Sequence, residues 1–273
     1  MTEGSRDVDI TLIFDRADPR VAFFVGLKGS DPRIDEAGSI LIEGDLQVER
    51  ALRSGLRMTT LFMEPRFYEL FSPLIAARPE KDLVCYSAER GVMQEIIGYR
   101  LHQGVMAVAA RPQAAALEHL RSPIVALNRV IDPENVGTIA RSCRAFGVAT
   151  LIADRYTADP LLRRAIRVSM GAVLELPIAY PPDLPEALRG LRPRMRIVGI
   201  EQSPQSVSIT SYNVSEQCVL VFGSERHGIE PEVLRECDDT VVIPMCSDTI
   251  ASLNVSAAAA IALSRMYSDN RID

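Results

Sequence analysis

Cys218-Val219-Leu220-Val221-Phe222-Gly223-Ser224-Glu225-Arg226-His227-Gly228 decides how the second half of this chain is read. Five apolar residues run without alternation and stop on a glycine turn. A continuous apolar run of strand length marks a strand buried on both faces. A turn bounded by glycines suits the close approach of a ligand to the backbone. It is not a phosphate loop, because Ile229-Glu230 stand where Lys-Ser/Thr is required. No GxGxxG follows any strand, so a Rossmann dinucleotide site is unsupported.

Further strands are predicted on both sides of this one, at 123–127, 150–153, 174–178, 196–200 and 240–243, with helical segments between several of them. Apolar strands alternating with helices predict an α/β domain whose parallel sheet is covered on both faces. Nearer the N-terminus, 39–42 and 58–63 read as strands, and the apolar run 105–110 closes a first domain. A helix is predicted over 45–54, burying Leu46, Val48, Ala51 and Leu52, with Gly55 as its stop. Arg111-Pro112-Gln113 is the expected linker, and a short Ala-rich helix follows it through Leu120. The domains are therefore expected at 1–112 and 113–273.

Composition narrows the class. Hydrophobic residues make up 47% of the 273, enough for a packed core and against wholesale disorder. Aromatics are 5% and Trp is absent, so that core rests on Val, Ile, Leu, Ala and Met. No apolar run reaches the length of a bilayer span, so no membrane association is expected. Residues 1–7 lack a basic region followed by an apolar one, which predicts no signal peptide. The cysteines (85, 143, 218, 237, 246) are odd in number and form no CxxC. They are expected to be plain thiols in a reducing cytoplasm, not a disulfide framework or zinc site. His102, His119 and His227 are too widely spaced to suggest a metal cluster, so no metal is expected.

Net charge is −6, which by itself argues against nucleic acid. Its distribution does not. From Arg141 to Arg196 there are ten Arg and five acids, and from Glu216 onward four Arg and ten acids. A basic stretch beside an acidic one attracts a polyanion locally. The bland alternative is an Arg-rich solvated surface, since Lys occurs only at 28 and 81.

Two further segments carry candidate chemistry. In the first, Pro133 ends a strand and Asn135 is the expected helix N-cap. Val136, Ile139, Ala140 and Cys143 follow i, i+3, i+4, i+7 toward the core. Gly137, Arg141 and Arg144 share another face, where two guanidinium groups near a helix start suit phosphate. An ordinary amphipathic helix with solvated arginines has the same pattern. In the second, Ile243-Pro244-Met245 leads to Ser252-Leu253-Asn254-Val255-Ser256, where Ser252, Asn254 or Ser256 caps an Ala-rich helix. No GxSxG surrounds Ser252, so a serine nucleophile is not indicated.

The three segments, in this order and spacing, resemble the three motifs of the SpoU (TrmH-like) RNA ribose 2′-O-methyltransferases of the SPOUT class. Arg167-Val168-Ser169-Met170-Gly171-Ala172 is similar to a segment the family carries between the first and second motifs. The match covers about 123–266. Leu41-Ile42-Glu43-Gly44, Val48-Glu49-Arg50-Ala51-Leu52 and His102-Gln103-Gly104-Val105 resemble the family's ribosomal-protein-like RNA-binding domain. One departure is visible: the stretch from Ile243 to Leu253 is one residue longer than usual, with Ser247 near the usual glycine.

The resemblance implies a parallel-sheet α/β trefoil knot preceded by a smaller α/β RNA-binding domain, and usually a homodimer with the site at its interface. It implies S-adenosylmethionine as cofactor, contacted at Gly223, Ile243 and Leu253. Arg141, Asn135, Glu225, Ser252 and Asn254 are the implied catalytic set. The implied reaction is methyl transfer to a ribose 2′-hydroxyl of RNA, rRNA ahead of tRNA because of the extra N-terminal domain. The alternative is a non-catalytic RNA-binding or ribosome-assembly protein on the same fold, against which the intact catalytic set speaks. A resistance enzyme acting on one rRNA ribose is a subcase of the first.

Overall fold

The computed structural model describes residues 9–27, 37–101, 103–214, 217–246 and 252–267. His102, Ser247 and residues 1–7 lie outside the described residues. In chain order the strands are β1 (Ile10–Leu12), β2 (Ser39–Glu43), β3 (Met58–Met63), β4 (Val84–Ser87), β5 (Val105–Ala110), β6 (Ile124–Leu127), β7 (Thr150–Ala153), β8 (Ile178–Ala179), β9 (Arg196–Ile200), β10 (Val207–Ser208), β11 (Cys218–Phe222) and β12 (Asp239–Val242). The helices are α1 (Asp45–Arg53), α2 (Pro65–Ala76), α3 (Arg90–Ile97), α4 (Pro133–Ala145), α5 (Arg163–Val168), α6 (Leu184–Leu191), α7 (Pro231–Leu234) and α8 (Val255–Tyr267). The chain forms two compact units, Met1–Pro112 with Leu161–Leu174, and Gln113–Pro160 with Glu175–Asp273.

The first unit is built on a five-stranded sheet of order β1-β4-β3-β5-β2. Strand β5 runs antiparallel to β2 and β3, and the other pairs are parallel. Helix α1 covers Val48, Ala51 and Leu52 as predicted, but Leu46 is exposed and Gln47 takes the buried place. The reason is a hydrogen bond: Gln47 Nε2 donates to the Arg167 carbonyl at 3.0 Å. The helix also ends at Arg53, one residue short of the expected Ser54. Ser54 turns extended, its hydroxyl donating to the Ala51 carbonyl, and Arg78 takes the Leu52 and Ser54 carbonyls.

Residues 161–174 fall inside the stretch that the sequence reading gave to the second domain, yet they pack with the first unit. Buried Glu43 holds them. Its carboxylate pairs with Arg163 at 3.4 Å and accepts from Tyr99 Oη at 2.9 Å. Burial, reinforced by that carboxylate, pushes the Tyr99 hydroxyl well above the usual phenol range.

The second unit is built on a seven-stranded sheet of order β10-β12-β9-β11-β6-β7-β8, every neighbouring pair parallel. Strand β11 lies between β9 and β6 with all five residues buried, which is why its sequence is apolar without alternation. Two expectations fail here. The Ala-rich segment before Leu120 is extended apart from a 3-10 turn at Leu117–His119, because the Ala115 N–H pairs with the Ile178 carbonyl beside β8. The strand expected over 174–178 begins inside a 3-10 turn (Ala172–Glu175), and only Ile178–Ala179 pairs with β7. Pro177 has no N–H to give to a ladder.

The thiols follow this packing. Cys85, Cys143 and Cys218 are buried, Cys237 is half-buried and Cys246 exposed. Burial pushes the Cys218 and Cys237 thiols up to about 12, and Cys143 higher still. The thiolate is the reactive form. Iodoacetamide at neutral pH is therefore expected to label Cys246 on the folded protein and the other four only after unfolding. Peptide mass spectrometry reads this out, and rapid native labelling of Cys218 would contradict the packing.

Candidate functional site

Because the strands of the second unit are parallel, the loops after β6, β9, β11 and β12 all leave at the same edge. Ligands of open α/β sheets bind in the crevice outside these carboxyl ends. A cavity of about 330 Å³ opens there. Its walls come from Ile200–Gln202 at the end of β9, Phe222–Gly228 at the end of β11, Val241, Val242, Ile243 and Met245 around the end of β12, and Ser252, Leu253, Val255 and Ala258 at the start of α8. Gly223, Ile243, Ser252, Leu253 and Glu225 all line it.

Gly223 has no room for a side chain. A Cβ there would lie 2.0 Å from the Gly228 carbonyl carbon and 2.2 Å from the Ile229 nitrogen. The close approach arises because Ser224 and Gly228 pair as a two-residue bridge, N–H to carbonyl in both directions at 3.0 and 2.8 Å. Gly228 has φ +67°, which favours glycine, and faces Glu201. The Glu201 carboxylate accepts from the Ile229 N–H at 2.8 Å and the Gln202 N–H at 2.9 Å, tying the loop after β9 to the turn after β11. Sequence reading missed Glu201. Its only signal was an acid directly after an apolar strand, which any solvated loop supplies.

Beside the cavity three predicted residues meet. Glu225 Oε1 accepts from Asn135 Nδ2 at 2.5 Å and from Asn254 Nδ2 at 2.7 Å, and Asn254 Nδ2 also donates to Asn135 Oδ1 at 3.0 Å. The ring joins segments 119 residues apart in sequence. Asn135 is not the helix N-cap that was expected. Asp132 caps α4, accepting from the Glu134 N–H at 2.8 Å, and Pro133 fills the first turn. That frees the Asn135 side chain for the ring. Of the three cap candidates at α8, Asn254 acts: its Oδ1 accepts from the Ser256 N–H at 2.9 Å and the Ala257 N–H at 3.3 Å.

Asn254 thus caps a helix and closes the ring with one side chain. Asn254→Ala is expected to lower stability by about 1 kcal/mol through the lost cap. A Tm fall of about 2–4 °C is expected for a chain of this size. Asn254→Asp keeps the cap oxygen but sets a second carboxylate against Glu225, so it is expected to keep the Tm better than Ala and still open the ring. Thermal melts of the two variants check the ordering.

The core face of α4 is as predicted, with Val136, Ile139, Ala140 and Cys143 all buried. The arginine face is not uniform. Arg144 is tied to Glu175 at 2.8 Å, so it does not share a phosphate surface with Arg141 as expected. Arg141 is exposed, lies outside the cavity walls, and its guanidinium makes no hydrogen bond or ion pair among the described residues. The structure therefore brings together Asn135, Glu225 and Asn254, places Gly223, Ile243, Ser252 and Leu253 around one cavity, and leaves Arg141 apart. Among the described residues no group of His, Cys, Asp or Glu is arranged to hold a metal, and no helix is long and apolar enough to cross a membrane.

At the carboxyl edge of a parallel sheet the structure thus sets a cavity bounded by a glycine turn beside an Asn–Glu–Asn ring. The chain belongs to the SpoU rRNA methylase family, whose model matches residues 122–264. It is 34% identical to an uncharacterized tRNA/rRNA methyltransferase of Mycobacterium tuberculosis, over 96% of this chain and 95% of that one. The solved structure of an AdoMet-bound rRNA methyltransferase from Sinorhizobium meliloti superposes with a TM-score of 0.82 at 26% identity, covering 96% of this chain and 99% of the other. The SpoU methyltransferase AviRb from Streptomyces viridochromogenes, solved with AdoMet, has the same fold, with a TM-score of 0.78 at 23% identity over 92% and 98% of the two chains.

Proposed function

We propose that this protein transfers a methyl group from S-adenosylmethionine to a ribose 2′-hydroxyl of RNA, rRNA ahead of tRNA, as a cytoplasmic homodimer on a knotted C-terminal sheet. The observation that carries the reading is the cavity behind Gly223, next to the Asn135–Glu225–Asn254 ring. The residues fit the cofactor. Phe222, Val241, Ile243, Leu253 and Val255 supply apolar walls for an adenosine, and the absence of a Cβ at Gly223 brings main-chain groups close to it. The rRNA preference is supported by the likeness to the Sinorhizobium meliloti rRNA methyltransferase, which spans the N-terminal unit as well as the C-terminal one.

The bound cofactor supplies an electrophilic methyl group. Gly223, Ile243 and Leu253 hold it, and the walls exclude water from the sulfonium. The Asn135–Glu225–Asn254 ring fixes the turn after β11 against the starts of α4 and α8, so that the reacting groups stay aligned. Ser252, at the mouth of the cavity, positions the ribose. Arg141 binds an RNA phosphate and orients the hydroxyl. A guanidinium keeps its proton to very high pH, so its part is alignment and charge. Its exposure, away from the cavity of its own chain, supports a site completed by a second copy.

The test is transfer of labelled methyl from S-adenosylmethionine to total cellular RNA lacking the modification, with Arg141→Ala as control. Label recovered as a 2′-O-methyl nucleotide of one rRNA, and lost in the control, is the expected result. Label on a base would overturn the ribose assignment. Absence of both label and cofactor binding would favour the non-catalytic RNA-binding reading.

A further inference from the structure

Loops after β6 and β7, adjacent strands of the same sheet, carry an arrangement that the site above does not use. The buried Asp154 carboxylate accepts from the N–H groups of Arg129, Tyr156 and Thr157, from the Thr157 hydroxyl and from Asn128 Nδ2, at 2.7–3.2 Å. The Thr157 hydroxyl reaches back to the Leu127 carbonyl at 3.2 Å, and the Ala158 N–H to the Val130 carbonyl at 2.9 Å. One carboxylate thus clamps both loops rigidly. Within this clamp Arg129 has φ +57°, a conformation that residues with side chains rarely adopt.

The result is a layered surface. The Arg129 guanidinium lies 4.5 Å and the Arg155 guanidinium 4.7 Å from the centre of the Tyr156 ring. Arg129 is also fixed by Glu230 at 2.9 Å, and Glu230 in turn by Asn128. Arg155 is exposed and has no hydrogen bond or ion pair among the described residues. Tyr156, in the loop after β7, is 47% exposed, and Ile131, in the loop after β6, is 73% exposed. A surface cation–π pair that only steadied a loop would need neither a second guanidinium nor a left-handed residue to place the first.

We propose that Arg129, Tyr156 and Arg155 form a stacking platform for an unpaired RNA base flanking the target nucleotide. The inference rests on the RNA reading above and adds where the strand is held. Guanidinium planes and phenol rings stack on any base, and free guanidinium donors reach the neighbouring phosphates. The platform stands at the carboxyl edge of the sheet, where β6 separates β7 from β11, so a strand crossing it runs toward the Gly223–Gly228 turn.

The test uses the full-length protein, a short fluorescein-labelled single-stranded RNA of mixed sequence read by anisotropy, and calorimetry with S-adenosylmethionine. Tyr156→Ala and Arg155→Ala are each expected to weaken RNA binding about tenfold and to leave cofactor binding unchanged. Tyr156→Phe keeps the ring and is expected to bind like the wild type. Arg155→Lys keeps the charge but not the plane, and is expected to fall with the alanine variant. Unchanged RNA affinity in both alanine variants overturns the platform. So does full recovery by Arg155→Lys, which would reduce it to plain charge. A changed oligomeric state by light scattering, with RNA affinity retained, would assign the face to a second copy and also overturn it. Failure of the wild type to bind RNA at all would instead defeat the underlying RNA reading.

Discussion

Gly223→Ala is expected to lower S-adenosylmethionine affinity by about thirtyfold or more. The argument is steric. The added methyl would lie 2.0 Å from the Gly228 carbonyl carbon, 2.2 Å from its oxygen and 2.2 Å from the Ile229 nitrogen. These are main-chain atoms in a paired turn, so no rotamer change relieves the clash. Overpacking of this kind costs about 1–3 kcal/mol, and about 2 kcal/mol held in the cofactor cradle corresponds to roughly a thirtyfold loss. The paired amides of Ser224 and Gly228 must part, and Glu225 shifts with them, out of reach of Asn135 and Asn254. Calorimetry gives the affinity and circular dichroism the fold. A variant that binds cofactor normally would remove the cavity from the mechanism.

Arg141→Ala should act on the other half of the site. Methyl transfer is expected to fall by about a hundredfold or more, the scale of losing one group that aligns and polarises a nucleophile, while cofactor affinity stays as it was. Arg141→Lys is expected to recover little, because an ammonium cannot hold a phosphate and a hydroxyl in one plane; near-normal transfer by the lysine variant would reject any special guanidinium role. A mixing experiment then asks where Arg141 works. In a heterodimer of the Arg141→Ala and Gly223→Ala chains, the cavity of the first chain meets the arginine of the second, and one site of the two is whole. Random mixing of such a two-fold pair should restore about a quarter of wild-type activity. No recovery would mean that Arg141 serves the cavity of its own chain.

How much of this was legible in the chain depends on whether a residue's task is local. Helix α4 was readable because the spacing of Val136, Ile139, Ala140 and Cys143 is set by helical geometry alone, and all four are buried. Strand β11 was readable because burial on both faces leaves an unbroken apolar run. The short strands β1, β4 and β10 were missed, each being two to four residues long and too brief to carry a period. Strand β8 was misplaced, since Leu174 and Val173 are apolar in a 3-10 turn as they would be in a strand. Asn135 was read as a cap because its type suits one, and local sequence does not show that Asp132 already fills that role.

The sequence by itself determined the α/β class, the apolar strands that stack into the second sheet and the motif residues around the cavity, because each follows from periodicity, residue type or resemblance along the chain. Only the tertiary structure decided which of those residues meet. Asn135, Glu225 and Asn254 form one ring, Arg144 goes to Glu175 and leaves Arg141 exposed, and Glu201 ties the loop after β9 to the glycine turn. The physical reason is that a hydrogen bond between residues 90 or 119 positions apart leaves no trace in local spacing. It depends on which strand lies beside which, and on a sheet order that only the folded chain sets.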